Sequence, residues 1–177
     1  MRIISGTHKG KRLTAPKTLP VRPTTDFAKE ALFNILNNQI YFQNVRFLDL
    51  FSGTGNISFE FASRGCEDIT SVDTHYGCVK YIQQIAEELS FQINAVKSDV
   101  FKYIEFSHAP FDVIFADPPY NFELQTLTEL VGNIFQNNLL ESEGILIIEH
   151  TKHLDLSQIA HFKEARKYGG SVFSFFT

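Results

Sequence analysis

Between Val45 and Glu149 the apolar residues fall into short runs separated by stretches of helical period. The runs predict strands at Arg46–Phe51, Asp68–Val72, Ile93–Lys97, Phe111–Ala116 and Gly144–Glu149. The last of these, with Ile145-Leu146-Ile147-Ile148 at its centre, is apolar on both faces, as a covered parallel strand is. The periodic stretches predict helices at Asn56–Arg64, closed by Gly65, at Gly77–Leu89 and at Gln125–Asn138. Strand and helix thus alternate in the manner of an α/β fold. Ahead of this unit, Phe27, Ala28, Ala31, Leu32, Ile35 and Leu36 recur on one helical face behind Thr24 or Thr25 as the cap. Earlier still, Arg2–Gly6 and Lys11–Ala15 flank His8-Lys9-Gly10 as a short polar hairpin, and Pro16, Pro20 and Pro23 mark an extended connector. At the far end His161–Tyr168 and Ser171–Phe176 flank Gly169-Gly170, the signature of an antiparallel hairpin. His150-Thr151-Lys152-His153 reads as a solvated loop, without the neighbouring ligand-type residues of a metal site.

The chain has 177 residues, of which 44% are hydrophobic and 20% charged. That composition is globular and fits one core, divided as an N-terminal hairpin and connector (1–23) followed by the main unit (24–177). No apolar run nears the roughly 18 residues of a membrane span, and the N-terminus lacks a signal-peptide stretch, so the chain reads as cytoplasmic. Cys66 and Cys78 form no CxxC pair and read as buried thiols. The net charge of -4 conceals an asymmetry. Residues 1–30 carry seven Lys/Arg against two acids, a net of +5, while the remainder holds nine bases and eighteen acids, a net of -9. A basic arm on an acidic body predicts a local polyanion contact.

The loop after the first buried strand, Asp49-Leu50-Phe51-Ser52-Gly53-Thr54-Gly55-Asn56, leads into a helix. Its glycines let backbone approach a ligand, and the helix N-terminus offers free N–H groups. A nicotinamide-binding fingerprint would need a third glycine where Ser58 stands, which demotes a dehydrogenase. Asp73 ends the second strand 20 residues after Gly53, where a carboxylate can accept both hydroxyls of an adenosine ribose. Asp99 follows the third strand, placed to reach an adenine edge. After the fourth strand comes Asp117-Pro118-Pro119-Tyr120. The prolines fix the backbone and cannot donate, so main-chain carbonyls and the Asp117 carboxylate can accept hydrogen bonds from an exocyclic amine while Tyr120 stacks its base. No nucleophile–base pair is evident, and methyl transfer from a sulfonium requires none.

Asp49 to Gly55, Asp73, Asp99 and Asp117-Pro118-Pro119-Tyr120 together resemble the class I S-adenosyl-L-methionine-dependent methyltransferases that modify exocyclic amines. Met1-Arg2-Ile3-Ile4-Ser5-Gly6, Lys9-Gly10-Lys11-Arg12-Leu13, Arg22-Pro23-Thr24-Thr25-Asp26 and Glu30-Ala31-Leu32-Phe33-Asn34-Ile35-Leu36 narrow the resemblance to the RsmD family of bacterial 16S rRNA guanine-N2 methyltransferases. The resemblance covers essentially the whole chain. It implies a Rossmann-like, mostly parallel seven-stranded sheet, S-adenosyl-L-methionine as cofactor, no metal, and a 16S rRNA substrate within the small subunit or its assembly intermediate. It assigns catalysis to Asp117, Pro118 and Tyr120, and cofactor binding to Asp49, Phe51, Ser52, Gly53, Thr54, Gly55, Asp73, Asp99 and Val100. RNA contact falls to Arg2, Lys9, Lys11, Arg12, Arg22 and Lys29. The family usually has Arg-Val where this chain has Phe27-Ala28, and Glu where it has Asp73. An adenine-N6 methyltransferase on RNA or DNA shares the Asp-Pro-Pro-Tyr motif, and a noncatalytic RNA-binding assembly factor could share the fold.

Overall fold

The computed structural model describes residues 1–16, 18–19, 24–107 and 109–177. In chain order the elements are α1 (Asp26–Leu36), a 3-10 turn (Phe42–Asn44), β1 (Arg46–Leu50), α2 (Asn56–Ser63), β2 (Asp68–Asp73), α3 (Tyr76–Leu89) and β3 (Ile93–Lys97). Then follow α4 (Val100–Phe106), β4 (Phe111–Ala116), α5 (Leu124–Gln136), β5 (Leu140–Thr151), β6 (Phe162–Tyr168) and β7 (Ser171–Phe176). One seven-stranded sheet runs in the order β3-β2-β1-β4-β5-β7-β6. The first five strands are parallel, and β7 pairs antiparallel with both β5 and β6. Tyr168 faces Ser171 across the Gly169-Gly170 turn, as the hairpin reading requires. Of the extended connector, residues 17 and 20–23, with Arg22, lie outside the described residues.

The two-residue period of the strands sorts the core into layers. Phe47, Ile69, Val113, Phe115 and Ile147 face α1 and α2, whereas Leu48, Leu50, Val72, Ile114, Leu146 and Ile148 face α4 and α5. Thr25 caps α1, its hydroxyl accepting from the Ala28 amide at 3.2 Å. Asp99 caps α4, its carboxylate accepting from the Lys102 amide at 3.1 Å. That helix is seven residues long and was not among the predicted elements; Val100 and Ile104 supply its apolar face. β5 extends beyond the predicted strand at both ends, so His150 is a buried strand residue and not part of a solvated loop. Its Nε2 bonds the Ser174 hydroxyl at 2.8 Å and its Nδ1 meets the Thr151 carbonyl at 2.9 Å. Cys66 and Cys78 are buried free thiols.

The N-terminal hairpin is narrow, with Arg2 and Arg12 bridged and the Ile3 amide donating to the Lys11 carbonyl at 2.9 Å. Ile3 and Leu13 pack beneath it on Phe59 of α2 and on Tyr81, Ile82, Ile85 and Leu89 of α3. Polar contacts finish the joint. Glu60, wholly buried in α2, accepts from the Ile4 amide at 2.7 Å and the Ser5 amide at 3.0 Å. It also pairs with Arg64 at 2.8 Å and with Lys29 at 3.6 Å. Lys29 donates to the Arg2 carbonyl at 2.7 Å and to Asn56 Oδ1 at 2.8 Å. With its side chain 1% exposed, Lys29 offers no charge to a phosphate, which corrects its expected RNA role. Its cation balances a buried carboxylate.

Gly6 and Gly10 both have positive φ, 82° and 86°, but only Gly6 lies against the body. A Cβ there would stand 1.7 Å from the Ser63 carbonyl oxygen, which accepts from the Thr7 amide at 2.7 Å. Gly6→Ala is therefore expected to cost about 1–3 kcal/mol through overpacking and strain, and to expose the Thr7 amide to hydrogen exchange. Gly10→Ala, with nothing within 4 Å of the new carbon, should leave that amide protected. Equal protection of the Thr7 amide in both variants would contradict the docking described.

Candidate active site

At the carboxyl ends of the parallel strands a cavity of about 480 Å³ opens. Its wall includes Asp49, Phe51, Ser52, Gly53 and Thr54 from the β1–α2 loop, Asn56 and Ile57 from α2, and Asp73 to His75 after β2. Asp117, Pro118, Pro119 and Tyr120 after β4 complete it, with Thr24 ahead of α1. The volume lies in the ordinary range for a small-molecule site. This is also where open α/β sheets bind ligands.

The loop is held open by its own backbone and by Asp73. Phe51, at φ 59°, and Gly53, at φ 51°, adopt left-handed conformations, which are costly for phenylalanine and typical of functional loops. The Phe51 ring stands edge-on to Phe122, centroids 5.5 Å apart. Asp73 accepts from the Gly53 amide at 2.8 Å and from the His75 amide at 2.7 Å, one bond to each oxygen. A second acceptor site remains on each oxygen. Gly55 caps α2 at φ 73°, and a Cβ there would meet Ile82 at 2.9 Å. Close packing of α2 on α3 therefore accounts for Gly55, which does not line the cavity. The Ser52 hydroxyl is buried in the wall with no hydrogen-bond partner among the described residues. An orphaned hydroxyl in a cavity wall fits a ligand's polar group.

Strand register explains why acids gather here. Asp49 pairs with Phe115 and Ser71, and Phe115 pairs with Ile147. Side chains two apart share a face, so Asp73, Asp49, Asp117 and Glu149 end four neighbouring strands on the same side of the sheet. Ser58 donates to Asp49 at 2.5 Å and is bonded to the Ser71 hydroxyl at 2.7 Å. The residue that breaks the nicotinamide fingerprint thus anchors a buried carboxylate. Burial, opposed by the Ser58 bonds, pushes Asp49 up to about 7. Burial, then the negative charges of Glu149 and Asp49, pushes Asp117 up to about 8. Glu149 was missed by sequence reasoning; it is 3% exposed and its carboxyl too is raised by burial.

The remaining expected residues scatter. Asp99 is exposed and capping α4, and the Val100 side chain belongs to the core; neither lines the cavity. In the arm Lys9 and Arg12 are exposed, Lys11 pairs with Glu88 at 2.9 Å, and Arg2 stands 3.7 Å from Asp26. Among the described residues no helix is long and apolar enough to cross a membrane.

Comparison with known proteins places this geometry. The family described as conserved hypothetical protein 95 matches residues 1–177. The chain is 33% identical over 163 residues to the putative rRNA methyltransferase YlbH of Bacillus subtilis, covering 89% of this chain and 86% of that one. It is 29% identical over 150 residues to ribosomal RNA small subunit methyltransferase D of Escherichia coli, covering 84% and 74%. A solved structure described as the putative methyltransferase yhhF from Escherichia coli superposes with a TM-score of 0.83 at 24% identity over 99% of this chain and 96% of that one. The sheet order with its antiparallel end is that of the class I S-adenosyl-L-methionine-dependent methyltransferases. The chain belongs to the conserved hypothetical protein 95 family, the RsmD family of ribosomal RNA methyltransferases.

Proposed function

We propose that this protein transfers a methyl group from S-adenosyl-L-methionine to the exocyclic N2 amine of a guanine in 16S rRNA, within the small subunit or its assembly intermediate. One observation carries the reading: Asp117-Pro118-Pro119-Tyr120 walls the same cavity as the Gly53 loop and Asp73. The small-subunit name of the Escherichia coli relative supports the substrate class. An rRNA substrate also agrees with a cytoplasmic location.

The residues present fit the cofactor. Asp73 would hold the ribose hydroxyls with its remaining acceptor sites, the orphaned Ser52 hydroxyl would serve the polar tail, and the acidic floor would favour a sulfonium cation. Asp99 and the Val100 amide, at the first turn of α4, are left for the adenine edge. When bound, the cofactor supplies an electrophilic methyl group. The Asp117 carboxylate and the Pro118 carbonyl accept the two amine hydrogens, turning the nitrogen lone pair toward that methyl. Tyr120, 57% exposed at the mouth, stacks the base. Asp117 or water would take the surplus proton that the amine gives up on methylation. Residues 1–23 serve as the RNA arm, with Lys9 and Arg12 as its accessible charges.

Labelled cofactor with unmodified small subunits should yield N2-methylguanosine on nucleoside mass spectrometry; N6-methyladenosine, or no modification, would overturn the proposal. Asp117→Ala should keep cofactor affinity and lose on the order of 10² or more in turnover. Because an accepting Asp117 must be ionised and its carboxyl sits at about 8, kcat/KM for the cofactor should climb with pH and level off above that value. A flat profile would rule out ionised Asp117 as the acceptor. Asp73→Ala should weaken cofactor binding by about 1.5–3 kcal/mol, measured by calorimetry. For the arm, Lys9→Ala with Arg12→Ala should lower the slope of log K against log salt by roughly 1.5 to 2. Parallel salt lines for wild type and double variant would remove the arm from the RNA interface.

A further inference from the structure

Glu149 takes no part in the reaction just described, yet it stands behind the cavity wall with both of its oxygens held. Ala116 pairs with Ile148, so one step further along the same register sets Glu149 beside Asp117. Its two oxygens are clamped from opposite sides. Oε2 accepts from the Thr24 hydroxyl at 2.8 Å, and Oε1 from the Ser171 hydroxyl at 2.7 Å. Thr24 is itself fixed, its carbonyl accepting from Asn56 Nδ2 at 3.0 Å while Asn56 Oδ1 accepts from Lys29. A buried carboxylate has thus been given donors from α1's entry and from β7, and both Thr24 and Asn56 wall the cavity.

We propose that Glu149 is a positioning residue of methyl transfer: clamped by Thr24 and Ser171 beside Asp117, it fixes the orientation and the charge state of that carboxylate. The proposal rests on the reading of Asp117 as the amine's acceptor. Two neighbouring carboxylates in a desolvated site cannot both ionise cheaply, and titrate as a pair. Hydroxyl donors on both Glu149 oxygens favour its ionised form, which leaves Asp117 as the member that keeps the proton when the cavity holds no cation. Among the described residues, the groups acting on the pair are Asp49 from β1, Thr24 ahead of α1 and Ser171 from β7. Lys29 is linked to it through Asn56 and Thr24 and is already balanced by Glu60.

Glu149→Gln keeps the side chain's size and removes its charge. The acid limb of the single-turnover pH profile is expected to move down by about one unit or more, a roughly tenfold gain in rate below the limb. The Asp117 carboxyl, followed by carbon NMR in cofactor-free protein, should titrate lower by the same amount. Thr24→Val removes one of the donors that hold Glu149 ionised, so the limb should move in the same direction as in Glu149→Gln, and Thr24→Ser, which restores the hydroxyl, should return it. If wild type methylates small subunits while Glu149→Gln leaves both the limb and the Asp117 titration where they were, the inference fails. If wild type methylates nothing, the functional reading fails, and the Asp117 titration alone still decides whether Glu149 governs that carboxyl.

Discussion

Parallel strands paired in register are the constraint on which this site depends. Because β2, β1, β4 and β5 share a direction, their carboxyl ends arrive at one rim of the sheet, and the two-residue period then puts Asp73, Asp49, Asp117 and Glu149 on one side of it. Acids so placed repel one another and lose hydration, a combination a stable core would avoid. The chain contains the cost with hydroxyls: Ser58 for Asp49, Thr24 and Ser171 for Glu149. Among the described residues no hydroxyl offsets the cost at Asp117, whose proton affinity is raised by burial and by Glu149 and Asp49.

The loop between β1 and α2 divides the work among residues that look alike in a motif. Gly53 brings an amide to Asp73, whereas Gly55 lets α2 settle against Ile82 of α3. Phe51 accepts an unfavourable backbone conformation and is braced by Phe122. The Asp73 carboxylate ties the loop to β2, so the floor of the cavity is shaped before any ligand arrives.

Legibility in the sequence followed physical range. Strands and helices with strong periodicity, the Gly169-Gly170 turn and the Asp117 motif could be read directly, since local pattern determines them. α4 was missed because seven residues give too little period, and because Asp99, its cap, was assigned to a ligand. Lys29 looked like one more base in a basic arm; its burial follows from Glu60, a residue 31 positions away whose partnership no local pattern reveals. Glu149 closes an apolar strand as any solvated end residue does. Only the register of β5 against β4, and the return of β7 to bring Ser171, expose it as the neighbour of Asp117.

The hairpin's attachment has a consequence for what the arm can recognise. Its amides end on Glu60, Lys29, paired with that carboxylate, holds the Arg2 carbonyl, and Gly6 sits against Ser63 without room for a methyl group. An arm so fastened cannot swing to follow its target. It behaves as one jaw of a caliper, with Tyr120 and the cavity mouth as the other, and the span between them is fixed by covalent and packed structure. On the proposed function, an RNA would be measured by whether a phosphate and an accessible base lie that far apart, which would select a folded shape before any base edge is read.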